Sequence, residues 1–181
     1  MCGIVGEMAF ASNASGALGE ELLSSLVDVM ARRGPDDAGI WSDGRRCTLG
    51  FRRLAVLDLS QSAHQPMLTS DGRYALVYNG EVYNYRQLRT ELESDGIQFR
   101  SSGDTEVVLQ ALARWGTDAL ARFNGMFALA LYESVAKRIL LARDHAGIKP
   151  LYFMVTSEGL VFGSQFDQIL AHTRSKQLGV S

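Results

Sequence analysis

The sequence lacks the features that mark disulfide-rich, secreted or membrane-spanning chains. Its 181 residues include only two cysteines, Cys2 and Cys47, too few for a disulfide scaffold or a multi-cysteine zinc module. No apolar run approaches the ~20 residues of a transmembrane helix. The N-terminus shows no basic leader and meets an acidic residue at Glu7, which argues against a signal peptide. We therefore expect a cytoplasmic protein with no membrane partner.

An excess of one charge is also missing. There are 18 basic and 20 acidic residues, for a net charge of −2. Without a basic excess there is little to release counterions from a polyphosphate, so we expect no nucleic-acid partner. The hydrophobic fraction of 46% and the charged fraction of 21% are ordinary for a globular chain. We expect one domain over residues 1–181, with 173–181 as a tail or the start of a linker.

The hydrophobic pattern comes in blocks of strands and helices without regular βαβ alternation. The expected strands cover residues 3–10, 39–42, 47–57, 74–78, 126–132, 139–142, 151–155 and 160–163. The expected helices cover residues 19–33, 84–96, 104–116 and 165–172. The dipeptides Asp43-Gly44 and Asp71-Gly72 are typical of hairpin turns. This order predicts an α+β fold in which helices cover antiparallel sheets.

Cys2 is the first candidate for chemistry. Bacterial processing usually removes an initiator methionine that precedes a small residue, so the mature chain would begin with Cys2. An N-terminal cysteine carries a thiol and a free α-amine, whose reference pKa values are about 8.5 and about 7.7–8. The amine can then act as the base for the thiol, directly or through one water. The alternative is an incidental cysteine at a strand start.

A set of short motifs occurs in a fixed order along the chain. They are Met-Cys-Gly-Ile-Val-Gly at 1–6, Arg-Gly-Pro-Asp-Asp at 33–37, Arg-Leu-Ala-Val-Leu-Asp at 53–58, Gln-Pro-Met at 65–67, Asn-Gly-Glu-Val-Tyr-Asn at 79–84, Ser-Gly-Asp-Thr-Glu at 102–106, Phe-Asn-Gly-Met-Phe-Ala at 123–128 and Arg-Asp-His-Ala-Gly-Ile-Lys-Pro-Leu-Tyr at 143–152. With this set the sequence resembles the class II glutamine amidotransferase domain, most closely the N-terminal glutaminase domain of asparagine synthetases. The resemblance covers roughly residues 2–170. It implies the four-layer α-β-β-α sandwich of N-terminal nucleophile hydrolases, built from two antiparallel sheets.

The resemblance implies that Cys2 attacks the side-chain amide of L-glutamine and forms a thioester, with release of ammonia and then glutamate. The side-chain amide of Asn79 and the backbone N–H of Gly80 are then the donors to the oxyanion, placed where a strand ends in a tight turn. A plain hairpin turn is the alternative for this dipeptide taken alone.

The resemblance also assigns the glutamine head group. Arg53 is the candidate for the α-carboxylate, because a guanidinium can pair with it through two parallel hydrogen bonds. Asp104, together with Glu81, is the candidate for the α-ammonium; a helix N-cap is also open to Asp104, and both roles can hold at once. The backbone expected to line the same pocket belongs to Arg53, Leu54, Ala55, Val56 and Leu57.

The other cysteine, Arg52 and the histidines are not expected to take part in catalysis. Cys47 is expected to be a small buried hydrophobic residue, and Arg52 a solvated charge on a strand. The histidines show no metal-ligand spacing, so we expect structural or surface positions for them; they are His64, His145 and His172. We expect no metal or cofactor in this domain.

The expected partner is a synthetase domain or subunit that uses ATP and Mg²⁺, because this sequence carries no pyrophosphate-binding or P-loop motif. Asparagine synthesis from aspartate is the favoured reaction. The alternatives are another acceptor, such as a sugar phosphate or phosphoribosyl pyrophosphate, and a non-catalytic domain that binds glutamine or a partner. The sequence departs from the family at Arg32, where histidine is usual, and at Ser164-Gln165-Phe166-Asp167-Gln168, where Ser-Glu-x-Lys-Ala is common. A homodimer and the retention of Met1 are left open.

Overall fold

The structure is a computed structural model that describes residues 1–11, 20–55, 61–173 and 175. The strands are β1 (Gly3–Ala9), β2 (Asp37–Ser42), β3 (Cys47–Arg53), β4 (Met67–Leu68), β5 (Tyr74–Val82), β6 (Gly125–Glu133), β7 (Arg138–Arg143), β8 (Tyr152–Val155) and β9 (Gly159–Gly163). The helices are α1 (Glu20–Val29), α2 (Tyr85–Ser94), α3 (Asp104–Trp115) and α4 (Phe166–Ala171), with 3₁₀ turns at Gln61–Ala63 and Gly116–Arg122.

The chain divides into two compact units. The first comprises residues 1–54 and 150–181 and holds a five-stranded sheet in the order β2-β3-β1-β9-β8. Its pairings are all antiparallel. Helix α1 packs on this sheet through buried leucine and valine side chains, and Gly50 has no Cβ where Val27 comes down on the strand. A helical apolar face thus covers a strand surface, as the sequence periodicity predicts.

The second unit comprises residues 55–149 and holds a four-stranded antiparallel sheet in the order β4-β5-β6-β7. Helices α2 and α3 pack on one face of it. The core on that face includes Leu76, Tyr78 and Val82 of β5, Leu88 and Leu92 of α2, and Val108 and Leu112 of α3. The side chains of β5 alternate between faces, so the intervening residues lie on the face that these helices do not cover.

The expected tight turn at Asn79-Gly80 is wrong. Strand β5 continues through both residues to Val82 and pairs with β6 along its whole length, with Gly80 opposite Phe127. A Cβ at Gly80 would lie 2.5 Å from the carbonyl oxygen of Met126, so glycine serves a close approach of two strands and not a left-handed backbone. Local sequence does not distinguish these two uses of glycine.

Several boundaries also differ from the sequence expectation. The N-cap of α3 is Gly103, so the N-cap role left open for Asp104 is wrong; Asp104 is the first helical residue. Strand β3 ends at Arg53 and not at 57, and residues 56–60 lie outside the described part of the chain. Strand β4 is too short to be predicted from periodicity. The turns at Gly44 and Gly72 are confirmed, with φ of 71° and 67°.

In the described ranges we find no helix with the length and apolar character needed to cross a bilayer.

Candidate functional site

Cys2 lies directly before β1, at the end of the first unit's central strands. The β1–β3 register pairs Gly3 with Arg52, so the next position along brings Cys2 beside the end of β3. There the backbone N–H of Leu54 donates to Sγ of Cys2 at 3.4 Å, and the thiol donates to the Leu54 carbonyl at 3.6 Å. Cys2 is partly exposed. The thiol of this partly exposed residue is therefore held by the backbone of Leu54.

The motif at residues 33–37 braces this position, a role that the sequence pattern alone did not assign. Nε of Arg33 donates to the carbonyl oxygen of Cys2 at 3.2 Å. Gly34 lies so close to β3 that a Cβ would come within 2.5 Å of the backbone nitrogen of Arg53. The N–H of Asp36 donates to the Arg53 carbonyl at 3.0 Å. Arg33 thus holds the backbone of Cys2. Gly34 and Asp36 pack against the backbone of Arg53, the residue before Leu54.

Arg53 and Arg52 have different surroundings although they are neighbours on β3. Arg53 is buried at the end of the strand, opposite Asp37 in the ladder with β2. Arg52 forms an ion pair with Asp28 of α1, whose side chain is 66% exposed. Successive side chains of a strand point to opposite faces, which separates the two guanidinium groups. Only Arg53 is therefore placed as a buried cation at the end of β3.

The backbone expected to line the pocket is described in part. Leu54 contacts the sulfur of Cys2 as given above and is 37% exposed, and Ala55 begins the second unit with a half-buried side chain. Val56 and Leu57 lie outside the described residues.

Asn79 presents an unused hydrogen-bond donor in the second unit. Its side chain is only 1% exposed, and its Nδ2 finds no hydrogen-bond acceptor within the described residues. A buried amide N–H without an acceptor costs about 1–3 kcal/mol. Such a group is what a site needs if the donor must be available for a charge that develops on a ligand.

Gly80 presents a second donor, whose direction follows from the strand ladder. The N–H of Tyr78 donates to the side chain of Gln65 at 2.7 Å, and the N–H of Val82 donates to Asp104 at 2.9 Å. Both groups therefore point away from β6. In an antiparallel ladder alternate residues point to the same side, so the N–H of Gly80 also points away from β6. It lies between two N–H groups that side chains already occupy.

The carboxylate of Asp104 contacts the end of β5 in the second unit. Oδ2 of Asp104 accepts hydrogen bonds from the Tyr78 hydroxyl at 2.7 Å and from the N–H of Val82 at 2.9 Å. Burial raises the pKa of Asp104, the hydrogen bonds from Tyr78 and Val82 oppose that rise, and the charge of Glu81 adds to it. The charge of Glu81 disfavours the ionised form of Asp104, and a bound cation would offset that repulsion.

The other reactive side chains have structural or surface positions. Cys47 is fully buried, and burial, with the charges of Asp43 and Glu7, raises the pKa of its thiol, which suits a hydrophobic and not a nucleophilic role. The ring of His172 contacts the carboxylate of Glu7 at 3.0 Å, both side chains being buried. His145 is exposed. Within the described ranges, no three His, Cys, Asp or Glu side chains are grouped as metal ligands.

The structure assigns roles to two of the sequence motifs, at residues 65–67 and 143–152, that the sequence alone did not assign. The side-chain amide of Gln65 binds both backbone groups of Tyr78. The buried carboxylate of Asp144 accepts N–H groups from Phe127, Ile148 and Lys149. Burial opposes ionisation of Asp144, but these backbone bonds outweigh it and lower its pKa. Gln65 therefore binds its loop to β5, and Asp144 binds the loop after β7 to β6.

Comparison with known proteins gives three kinds of match. Residues 1–179 match the family described as "Glutamine amidotransferase domain". The chain is 35% identical over 174 residues to asparagine synthetase [glutamine-hydrolyzing] 3 of Bacillus subtilis, and 36% identical over 165 residues to synthetase 1 of the same organism. These matches cover 95% and 91% of this chain but only 28% and 26% of the relatives. It is also 36% identical over 153 residues to amidase chry2 of Gibberella zeae, covering 84% of this chain and 22% of that protein.

The chain is similar in structure to glutamine phosphoribosylpyrophosphate amidotransferase from B. subtilis, with a TM-score of 0.73 and 18% identity over 94% of this chain and 43% of that one. A structure described as the allosteric regulatory enzyme of purine biosynthesis gives the same TM-score, coverage of 94% and 43%, and 20% identity. At this identity the likeness bears on the fold. It confirms the predicted fold class, α+β with two antiparallel sheets and helices.

Proposed function

Because the chain belongs to the glutamine amidotransferase domain family, we propose that it hydrolyses glutamine to glutamate and ammonia through a thioester on Cys2. The chain corresponds to the glutaminase half of glutamine-hydrolysing asparagine synthetases and spans 28% and 26% of the two compared above. The observation that supports the proposal most directly is the contact between Sγ of Cys2 and the backbone of Leu54 at a partly exposed residue of the first unit. In the second unit, the buried amide of Asn79 has an Nδ2 donor without an acceptor among the described residues.

The first chemical step uses the α-amine that Cys2 gains when Met1 is removed. The amine takes the thiol proton, and Sγ attacks the side-chain carbonyl carbon of glutamine. The N–H groups of Asn79 and Gly80 stabilise the negative oxygen of the tetrahedral intermediate. The protonated amine then gives its proton to the departing nitrogen, so that ammonia leaves and a glutamyl thioester remains.

The second step is hydrolysis of that thioester. The free amine accepts a proton from water, the resulting hydroxide attacks the acyl carbon, and the same two donors bind the oxyanion again. The thiolate leaves and recovers the proton from the amine. The sum is glutamine plus water giving glutamate plus ammonia, with Cys2 restored.

The head group of glutamine is proposed to bind to charges of opposite sign. Arg53 pairs with the α-carboxylate, and Asp104 with Glu81 binds the α-ammonium. The burial of Arg53 and the raised pKa of Asp104 support these roles, because a partly desolvated charge gains most from a partner. The backbone of residues 53–57 is proposed to line the same pocket.

We propose that the ammonia passes to an ATP-dependent synthetase domain that makes asparagine from aspartate. The names of the B. subtilis relatives support this acceptor. Another acceptor is the second candidate, because residues 165–168 differ from the sequence that is common in the family. In this segment Gln168 is fully buried, and its Nε2 donates to the Leu26 carbonyl at 3.0 Å. ATP and Mg²⁺ belong to the proposed synthetase domain. We propose no cofactor for glutamine hydrolysis, and a cytoplasmic location.

The test uses the purified natural protein that carries residues 1–181. With glutamine alone, the protein should release glutamate and ammonia in equal amounts. With aspartate, ATP and Mg²⁺ added, mass spectrometry should detect asparagine in an amount close to the glutamate formed. Failure to release glutamate from a preparation with a free Cys2 amine would refute the hydrolysis. Glutamate without asparagine would refute only the acceptor and favour the second candidate.

A further inference from the structure

The hydroxyl of Tyr78 reaches a carboxylate that the proposed function needs. Tyr78 is 2% exposed and belongs to the core between β5 and the helices, yet its hydroxyl donates to Oδ2 of Asp104 at 2.7 Å. The second donor to that oxygen is the N–H of Val82. Within the described residues, no side chain of another residue donates to the remaining oxygen, Oδ1. Two donors from β5 therefore hold Oδ2 of this carboxylate.

The position of Tyr78 is itself fixed by an unusual contact. The side chain of Gln65 accepts the N–H of Tyr78 at 2.7 Å and donates to its carbonyl at 3.2 Å. An amide side chain thus replaces the backbone partner that β4 does not supply at this point, since β4 pairs only with Leu76 and Ala75. Gln65 is 3% exposed, so the contact is protected from water. The tyrosine backbone, and with it the direction of the ring, is held.

We propose that Tyr78 is a positioning residue for substrate amino-group recognition: its hydroxyl orients the Asp104 carboxylate so that Oδ1 is presented to the α-ammonium of glutamine. This inference rests on the proposed function, because it takes Asp104 as the ammonium ligand. A tyrosine hydroxyl suits the task since it can only donate to an ionised carboxylate. It therefore favours the charged form that the ammonium requires and holds one rotamer of it.

The groups around Asp104 determine how its charge responds to loss of the hydroxyl. From β5, Tyr78 and Val82 donate to the carboxylate, and Glu81 opposes its ionisation. From α3, the residue's own backbone N–H favours the charged form. The nearby Glu106 carboxylate is turned to the loop before α3, where the backbone and hydroxyl of Ser101 donate to it. Removal of the Tyr78 hydroxyl thus takes away a donor without removing a charge.

The test is Tyr78→Phe, which keeps the ring and removes only the hydroxyl. We expect KM for glutamine to rise about tenfold, as for loss of a hydrogen bond to a charged group, while kcat stays within about twofold. The acid limb of kcat/KM against pH should move to higher pH. Glutaramate is glutamine without its α-amino group, so its kcat/KM should differ little between Tyr78→Phe and the wild type. The preference of the enzyme for glutamine over glutaramate should therefore shrink.

Tyr74→Phe is the matched control, because Tyr74 lies on the same strand and the same face and packs against the same core. It should leave KM, the pH profile and the preference over glutaramate unchanged. An equal loss for glutamine and glutaramate in Tyr78→Phe would show a merely structural role and overturn the proposal. So would an unchanged KM in a folded Tyr78→Phe protein. Asp104→Asn tests the ammonium subsite of the proposed function separately from the role of Tyr78. If this variant leaves KM for glutamine unchanged, the ammonium subsite is wrong.

Discussion

The backbone N–H of Leu54 points at Sγ of Cys2 across 3.4 Å, and the thiol points back at the Leu54 carbonyl across 3.6 Å. The two residues are 52 positions apart in sequence, and the register of β1 against β3 brings them together. An N–H aimed at sulfur stabilises negative charge on it, whereas the carbonyl accepts the neutral thiol. The same backbone segment can therefore hold both the thiol and the thiolate of the nucleophile.

Cys2 is predicted to be the site of covalent modification. Cys2→Ala should abolish glutamine hydrolysis, because no other thiol in the chain is placed to replace it. An electrophilic glutamine analogue should add to Cys2 and spare Cys47, which is fully buried and has a raised thiol pKa. Peptide mapping by mass spectrometry measures both sites, and Cys47→Ala serves as the control that should keep activity and labelling. Modification of Cys47 with Cys2 intact would contradict the assignment.

Retention of Met1 is predicted to suppress the reaction. With Met1 attached, the nitrogen of Cys2 is a peptide amide and has no basic lone pair, so the proposed base is missing. A preparation that intact mass shows to keep Met1 should be nearly inert, and aminopeptidase treatment should restore hydrolysis. Full activity in the unprocessed protein would mean that another group activates the thiol.

Asn79→Ala is predicted to slow turnover by about 10²–10³ in kcat, the range for loss of one oxyanion donor. KM for glutamine should change little, because the donor acts on the charge that forms in the transition state. Steady-state kinetics give both constants. Asn124→Ala is a control in the same unit and should leave kcat within about twofold. If Asn79→Ala instead raises KM and leaves kcat unchanged, the amide acts in ground-state binding of glutamine and not on the transition state.

Arg53→Ala is predicted to weaken glutamine binding about tenfold to a hundredfold, from loss of a charge-assisted hydrogen bond worth roughly 1.5–3 kcal/mol. Arg52→Ala is the neighbouring control: it breaks an ion pair with the exposed Asp28, and exposed pairs contribute only about 0–1 kcal/mol. Isothermal titration of glutamine into the Cys2→Ala protein measures binding without turnover. Equal effects of the two arginine variants would indicate general destabilisation and not a carboxylate site.

The pH dependence of binding follows from Asp104. Its pKa in the folded protein is raised by burial, with Glu81 adding to the rise, above the ordinary value of 3.8. The ammonium binds the ionised carboxylate, so KM should increase as pH falls through that raised pKa. The sign for stability is the reverse: the folded state holds the proton more tightly, so the contribution of Asp104 to the free energy of unfolding falls as pH rises through this window. A wild-type acid limb at the pKa of an exposed aspartate would contradict the prediction, and the limb should be absent in Asp104→Asn.

The sequence by itself determined the elements whose signals are local. The apolar spacing of α2 and α3 and the Asp-Gly dipeptides follow from propensities within a few residues, and the structure confirms them. The strand run that follows Cys2 was equally readable. The ordered motifs identified the family for the same reason, because each is a short string at a fixed place.

Tertiary structure alone decided what happens where distant segments meet. Asn79-Gly80 has the sequence of a turn, but the strand continues through it. Strand β6 packs so close to Gly80 that there is no room for a Cβ, and glycine is needed for that reason. The pairing of Glu7 with His172 joins residues 165 positions apart, and the Tyr78–Asp104 bond joins residues 26 apart. Hydrophobic periodicity reports which face of an element is buried and not which partner covers it. Side-chain hydrogen bonds depend on that partner, so only the packed fold could assign them.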